Sequence, residues 1–282
     1  TIPRGFTLDG QPGVTNPVGL QGRRLDMVAT LVTVSEKCVS NMKETTSSAG
    51  LELKGLLPAP QCTGELLLTE EEMNRGKMLI DFGVDTTELF VFKEGAIRDH
   101  FTLSLGGRNL TGDLSAKFNI STEKARKIKH KFDLSGSKDW RGSSGQVKGD
   151  PREKSSRDNV EIYSTLSARI QEIFELILSR ARENGDDQLL EYGVKITGGS
   201  SRLTGLMGFL NQSFTENFKQ AAPVRNIIGI RDVVKDPSYG PALGLLNCTT
   251  REKGEDGEPT YQSSPQFDLF TWIRKKIRTF LP

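Results

Sequence analysis

A chain of 282 residues, 35% hydrophobic and 26% charged, is long enough to bury a substantial core in one large or two medium domains. Its 38 Lys and Arg nearly balance 36 Asp and Glu, and a net charge of +2 excludes the global basic field that gathers nucleic acid. No apolar run of about 18 residues is present to span a bilayer and no secretory leader opens the chain, while Cys38, Cys62 and Cys248 are spaced for neither a zinc site nor a disulfide framework, which points to a reducing compartment.

In chain order, residues 1–33 are dense in Gly and Pro, and "LDGQPGVTNPVGLQG" reads as turn chemistry throughout, a loop feeding a strand in "MVATLVTV". From Ser35 to about Arg75 the pattern reads as helix, short strand and helix, the last opening on the acidic "TEEEM" that suits a helix's first turn. "KMLIDFGVDTTELFVFKEGAI" places a strand before Asp81, a tight turn, and a second strand from Glu88 to Phe92 closed by the "EG" of a hairpin. Ser121 and Thr122 are candidate caps for a helix over residues 120–132, and a polar, Gly-rich stretch reads as a mobile excursion after it. Leu166, Ile170, Ile173, Phe174, Ile177 and Leu178 recur at spacings of three and four before Gly185, the mark of a buried helix face. "YGVKITGGSSRLTGL" then reads as strand, Gly turn and helix start, and "DPSYGPALGLL" as a loop into a helix; strands alternating with helices imply an α/β architecture.

Residues 249–266 hold almost nothing that can enter a core and read as a flexible linker, with an rms reach of about 20–25 Å. The closing "FDLFTWIRKKIRTFLP" is amphipathic as a helix. Leu269, Phe270, Ile273, Ile277, Phe280 and Leu281 share about 120° of arc, Lys275 and Arg278 stand opposite, and Arg274, Lys276 and Trp272 lie at the edges. At ~24 Å it is too short and too charged to cross a bilayer, so it is expected to lie in the interface of an anionic membrane. The alternative is a terminal helix folded back on the domain.

Two Gly turns suggest phosphate. After the strand ending at Asp81, the amides and hydroxyls of Gly83, Thr86 and Thr87 form a turn that can hold a phosphate, with Asp81 orienting Mg²⁺ through water. In "ITGGSSRLTGL", Gly198 and Gly199 end a strand and Ser200 or Ser201 caps the next helix, letting backbone approach a ligand closely. The alternative for each turn alone is an ordinary structural turn. No Ser, His and Asp set, metal cluster or pair of catalytic carboxylates emerges, and His100 and His130 read as solvated surface residues.

The order of "IDFGVDTTELFVF", "SLGGRNLTGDL", "EKARKIKHKF", "VKITGGSSRLTGL" and "DPSYGPALGLL" resembles the actin-like ATPase superfamily. Within it, "FTLDGQPGVTNPVGLQGRRLD" followed by "LVT" resembles the special subdomain of the FtsA family of bacterial cell-division proteins. The resemblance implies an actin-like, ribonuclease H-like α/β fold, truncated at its N-terminus because the first phosphate loop and opening strands would precede Thr1, with a C-terminal amphipathic helix. It divides the chain into 1–33 (end of the FtsA-specific subdomain), 34–76 (remainder of the first actin-like domain), 77–109 with 186–248 (core of the second), 110–185 (a smaller inserted subdomain), 249–266 (linker) and 267–282 (membrane-targeting helix). It implies ATP and Mg²⁺ as cofactors and adds Gly107 and Lys129 to the nucleotide-binding set. The partners implied are FtsZ, other division proteins, anionic lipid and further copies in filaments, with no nucleic acid, at the cytoplasmic side of the membrane at the division site.

Several positions depart from the family pattern. The family's three-glycine turn keeps only Gly83, with Val84 and Asp85 in place of the others, and its AExIK helix pattern appears as Ala125, Arg126, Lys127, Ile128 and Lys129, without the Glu. The interdomain EPLASA appears as "LPAPQCTGE", residues 57–65. A carboxylate about 4 Å from a phosphate costs roughly 1–4 kcal/mol, so ATP binding is expected to be poor and hydrolysis slow at most. The reading is an adaptor that tethers FtsZ to the membrane. Its rivals are a degenerate actin-like adaptor without nucleotide, and an ATP-driven assembly protein of Hsp70 or PilM type.

Overall fold

The computed structural model of the chain describes residues 2–14, 16–135, 156–224 and 231–251. The Gly-rich stretch 136–155, most of the expected linker and the whole terminal helix 267–282 lie outside the described residues.

The first 33 residues are not a loop feeding one strand. They form an antiparallel sheet of β1 (Ile2–Leu8), β2 (Gln11–Val14) and β3 (Leu25–Thr30), in the order β2-β1-β3. The cause is local: Leu8 pairs with Gln11 across Asp9 and Gly10, whose φ values of 49° and 82° are the double positive pair that a two-residue hairpin turn requires. Asp9 Oδ1 then accepts hydrogen bonds from the Arg23 and Arg24 amides at 2.9 and 2.7 Å, tying the start of β3 to the hairpin tip.

Residues 36–75 carry three helices and no intervening strand: α1 (Glu36–Ser48), α2 (Ala59–Leu67) and α3 (Glu70–Arg75). The expected strand after α1 is absent because residues 51–58 pair with no neighbour, leaving Leu51 66% exposed. The acidic opening of α3 does form a capping box, Thr69 with Glu72.

The main sheet contains β4 (Lys77–Phe82), β5 (Thr87–Lys93), β6 (Ala96–Leu103), β7 (Val194–Thr197) and β8 (Phe218–Gln220), in the order β6-β5-β4-β7-β8. The first three strands run antiparallel through the Glu94-Gly95 hairpin, and β7 and β8 join parallel to β4. Between β6 and β7 the chain forms α4 (Gly107–Phe118), α5 (Thr122–Lys131), α6 (Ser156–Glu183) and α7 (Asp187–Leu190). After β7 come a 3₁₀ turn at Gly199–Arg202, α8 (Leu206–Ser213), α9 (Arg231–Lys235), a second 3₁₀ turn at Pro237–Tyr239, and α10 (Gly240–Arg251).

Period-two alternation sorts the sheet's side chains to two cores. Met78, Ile80, Phe82, Leu89 and Val91 face one with α4, α6 and α8; Leu79, Phe90 and Phe92 face the other with α2, α3 and α10. The α6 stripe is buried as its spacing predicts, and Phe174 meets Phe82 and Phe218 edge-on at centroid distances of 5.6 and 5.8 Å. Removing such a ring costs about 3–5 kcal/mol. Ser121 caps α5 as expected, whereas α10 runs to Arg251, so residues 249–251 are helix rather than linker.

Candidate functional site

Because β4 and β7 are neighbouring parallel strands, their carboxyl ends open side by side, and each ends in one of the two Gly turns. Crevices at such strand ends are where open α/β sheets receive ligands.

The β7 turn is pressed onto β4. Gly198 has φ of 90°, and a Cβ there would stand 2.2 Å from Asp81 Oδ1 and 2.6 Å from the Phe82 carbonyl, so only glycine fits. Neither serine behind it caps the next helix, which is the correction the structure makes to that reading. Ser201 Oγ donates to the Gly198 carbonyl inside the 3₁₀ turn, and α8 starts further on at Leu206. Ser200 Oγ instead donates to the Gly83 carbonyl at 2.6 Å, stitching the two turns together.

The β4–β5 turn closes on itself and on α4. The Gly83 amide donates to the Thr86 carbonyl, while the Gly83 and Val84 carbonyls accept from the Gly107 and Arg108 amides at 3.0 and 2.7 Å. Gly107 permits this approach, since a Cβ there would meet Ser200 Oγ at 2.3 Å. Thr87, counted among the phosphate-binding candidates, is buried with its hydroxyl committed to the Leu105 carbonyl at 2.7 Å, leaving Thr86 as the half-buried threonine of the turn. Asp85 points outward into a two-toothed ion pair with Arg108, which holds its carboxyl below the usual carboxylate range. The charge that replaces glycine in this turn is therefore matched.

Asp81 is enclosed at the junction. Burial first, and then the Glu88 carboxylate directly across the antiparallel ladder, raise its carboxyl to about 6. No group of three or more His, Cys, Asp or Glu that could hold a metal occurs among the described residues, so Mg²⁺ would need phosphate and water to complete its shell around Asp81.

Beside the turns lies a cavity of about 470 Å³, within the range of small-ligand sites. Val84, Arg108, Gly199 and Ser200 line one side, Thr111 of α4 contributes, and Thr122, Arg126, Lys129 and His130 line it from α5. Arg202 and Leu203 complete the wall, and among the described residues no carboxylate takes part. Lys129 is 6% exposed and donates to the Gly107 carbonyl at 2.7 Å; burial and then Arg126 lower its pKa to about 8. His130 is lowered by burial, then by Lys129, Arg126 and Arg202. It is exposed, as expected, yet belongs to the cavity rim rather than to an inert surface.

Asp81, Gly83, Gly107, Lys129, Gly198, Gly199 and Ser200 thus gather around one crevice, with Thr87 turned away. Arg108 and Arg202 were invisible to the sequence reading. The α5 stripe was legible in principle, because 122, 126, 129 and 130 recur at helical spacing. The residues fit a phosphorylated ligand through a wall whose charged side chains, among the described residues, are all basic, and resist one at the turn, where first-turn amides of α4 are already spent.

The family model described as cell division protein FtsA matches residues 78–244, and that of the SHS2 domain inserted in FtsA matches residues 1–33. The FtsA of Neisseria meningitidis serogroup B is 30% identical over 263 residues, covering 92% of this chain and 63% of that protein. The FtsA of Bacillus subtilis strain 168 is 30% identical over 254 residues, covering 89% of this chain and 56% of that protein. The chain therefore spans about three fifths of the length of these relatives. Among solved structures, MreB5 of Spiroplasma citri bound to ADP aligns with a TM-score of 0.55 at 16% identity over 88% of each chain, a likeness of fold alone: the actin-like ATPase architecture.

Proposed function

Because the chain belongs to the FtsA family of cell-division proteins, we propose that it is a cell-division adaptor that tethers FtsZ to the cytoplasmic face of the bacterial membrane and helps assemble the division machinery. The observation that supports this most is the match of the FtsA model to residues 78–244 of a chain that ends in a basic amphipathic sequence. In this reading residues 267–282 are the membrane contact, with Leu269, Phe270, Ile273, Ile277, Phe280 and Leu281 inserted and Arg274, Lys275, Lys276 and Arg278 facing anionic headgroups. No helix among the described residues is long and apolar enough to cross a membrane. Self-association into filaments would multiply a tail that binds reversibly by itself.

The crevice between the two Gly turns is the proposed nucleotide site, with Asp81 placing Mg²⁺ and Lys129 and the second turn receiving the ligand. In this reading the role is scaffolding more than turnover. Of the rival readings, the degenerate adaptor without nucleotide draws on Val84 and Asp85, and the matched charge of Asp85 and the open basic cavity weigh against it.

Liposome co-sedimentation tests the adaptor. The chain should carry FtsZ onto anionic liposomes, and deletion of residues 267–282 or Ile273→Asp should abolish this at every salt concentration, losing several kcal/mol of insertion energy. Lys275→Ala with Arg278→Ala removes about 2 kcal/mol of surface attraction and should affect anionic lipid alone. Recruitment of FtsZ by the deletion variant would sink the tether.

A further inference from the structure

The cysteines are spaced without pattern along the chain, yet the fold brings two of them together. Cys62 lies in α2 and Cys248 in α10, and both are reduced. The two helices pack backbone to backbone at Gly244, where a Cβ would stand 2.5 Å from the Cys62 carbonyl oxygen and 2.9 Å from the Thr63 amide nitrogen. That is the close approach a disulfide requires, since its Cα atoms must lie within about 7 Å. Cys248 follows Gly244 by one helical turn on the same face of α10. Its thiol lies 3.5 Å from Glu65 Oε2 and in hydrogen-bond contact with the Cys62 thiol. The two thiols differ in access and in character. Cys62 is 2% exposed, and the hydrogen bond from Cys248 holds its thiol below the ordinary value against burial and Glu65. Cys248 is half-buried, and the same bond, burial and Glu65 push its thiol up.

We infer that Cys62 and Cys248 are a redox site, which a low-molecular-weight disulfide converts to an intramolecular disulfide that fastens α10 to α2. Cys248, the more accessible thiol, meets the oxidant first. Its proton passes to Glu65 and on to water, its sulfur attacks one sulfur of the oxidant, and the other sulfur leaves as a thiolate. The Cys62 thiolate then attacks Cys248 Sγ from inside the helix interface, its own proton having gone to water. The bond between the two cysteine sulfurs forms, and the second half of the oxidant leaves as a thiolate. Both electrons lost by the cysteines thus reside on the two thiolates released. Every strand of the main sheet lies between Cys62 and Cys248 in the chain, so the bond closes a long loop and restricts the unfolded chain strongly.

The test incubates the full chain with millimolar oxidised glutathione, alkylates the remaining thiols, and maps the linked peptides by mass spectrometry without reductant. A Cys62–Cys248 linked peptide should appear, with a rise in Tm of about 10 °C, and dithiothreitol should reverse both. Cys38→Ser should match the parent, because Cys38 stands exposed on α1 away from the pair. Cys62→Ala should keep glutathione on Cys248 and gain no Tm, since the second attack is lost. Thiols that serve only to fill the helix interface would both stay reduced in the parent. That result, or pairing of either one with Cys38, overturns the inference whether or not the variants fold. A linked peptide without a rise in Tm overturns the fastening of α10.

Discussion

The two Gly turns lie side by side at the ends of β4 and β7, yet they are held in opposite ways. Gly198 is fixed by contact: its backbone sits against Asp81 and the Phe82 carbonyl with positive φ and no room for a side chain. The β4–β5 turn carries Val84, 56% exposed, and Asp85, whose side chain touches little but Arg108. Where two strand ends meet, sterics dictate glycine. Where a turn faces solvent, side chains are tolerated and its charge can change without disturbing the fold.

The sharpest way to break this comparison is Gly198→Ala. The new methyl must displace a carboxylate and a backbone carbonyl while the residue keeps φ of 90°, so the chain should lose about 3 kcal/mol or more. At about 2–4 °C per kcal/mol, thermal denaturation should show a fall in Tm near 10 °C. An unchanged Tm would mean the two turns can part freely.

Asp81 tests the same junction more gently. Its carboxyl, raised from 3.8 to about 6, binds a proton more tightly in the folded chain than in the unfolded one. That contribution to stability is full below the unfolded value and is lost as pH climbs through about 4 to 6. Asp81→Asn should therefore stabilise the chain at about pH 7 by roughly 2 kcal/mol and have little effect at about pH 4. Urea unfolding at the two pH values decides it; equal shifts at both would remove the carboxylate from the account.

Asp85→Asn should have the smallest effect on the fold, because an exposed ion pair adds little. Its Tm should match the parent's, while affinity for Mg-ATP in calorimetric titration rises a few-fold as Arg108 is released toward the cavity. A drop in affinity would show instead that the pair positions Arg108 for the ligand.

Different residues were legible to different degrees. The α6 stripe at Leu166, Ile170, Ile173 and Ile177 needed only periodicity, because a helix buries whichever face is apolar once a sheet lies beneath it. Asp9-Gly10 carried a hairpin signal that the surrounding density of Gly and Pro obscured, and a sheet was read as a loop. Residues 51–58 had the composition of a strand and formed none, since a strand requires a partner edge that no composition reveals. At the site, Asp81 and the glycines were found as turn residues, whereas the hydroxyls of Thr87, Ser200 and Ser201 were assigned to ligand or cap and serve carbonyls instead.

Sequence alone determined the elements whose causes lie within a few residues: the β4 and β5 hydrophobic alternation, the Ser121 cap, the capping box of α3, and the glycines at Gly83 and Gly198. It also carried the family resemblance, because the order of motifs along a chain is itself a sequence property. Tertiary structure decided what those elements meet. It set β7 parallel to β4 so that two turns more than 100 residues apart share a crevice, turned Arg108 onto Asp85, and brought Arg126, Lys129 and Arg202 around one cavity. Charge at a site is a sum over neighbours in space, and neighbours more than a few residues apart in the chain are chosen by the packing of helices on the sheet.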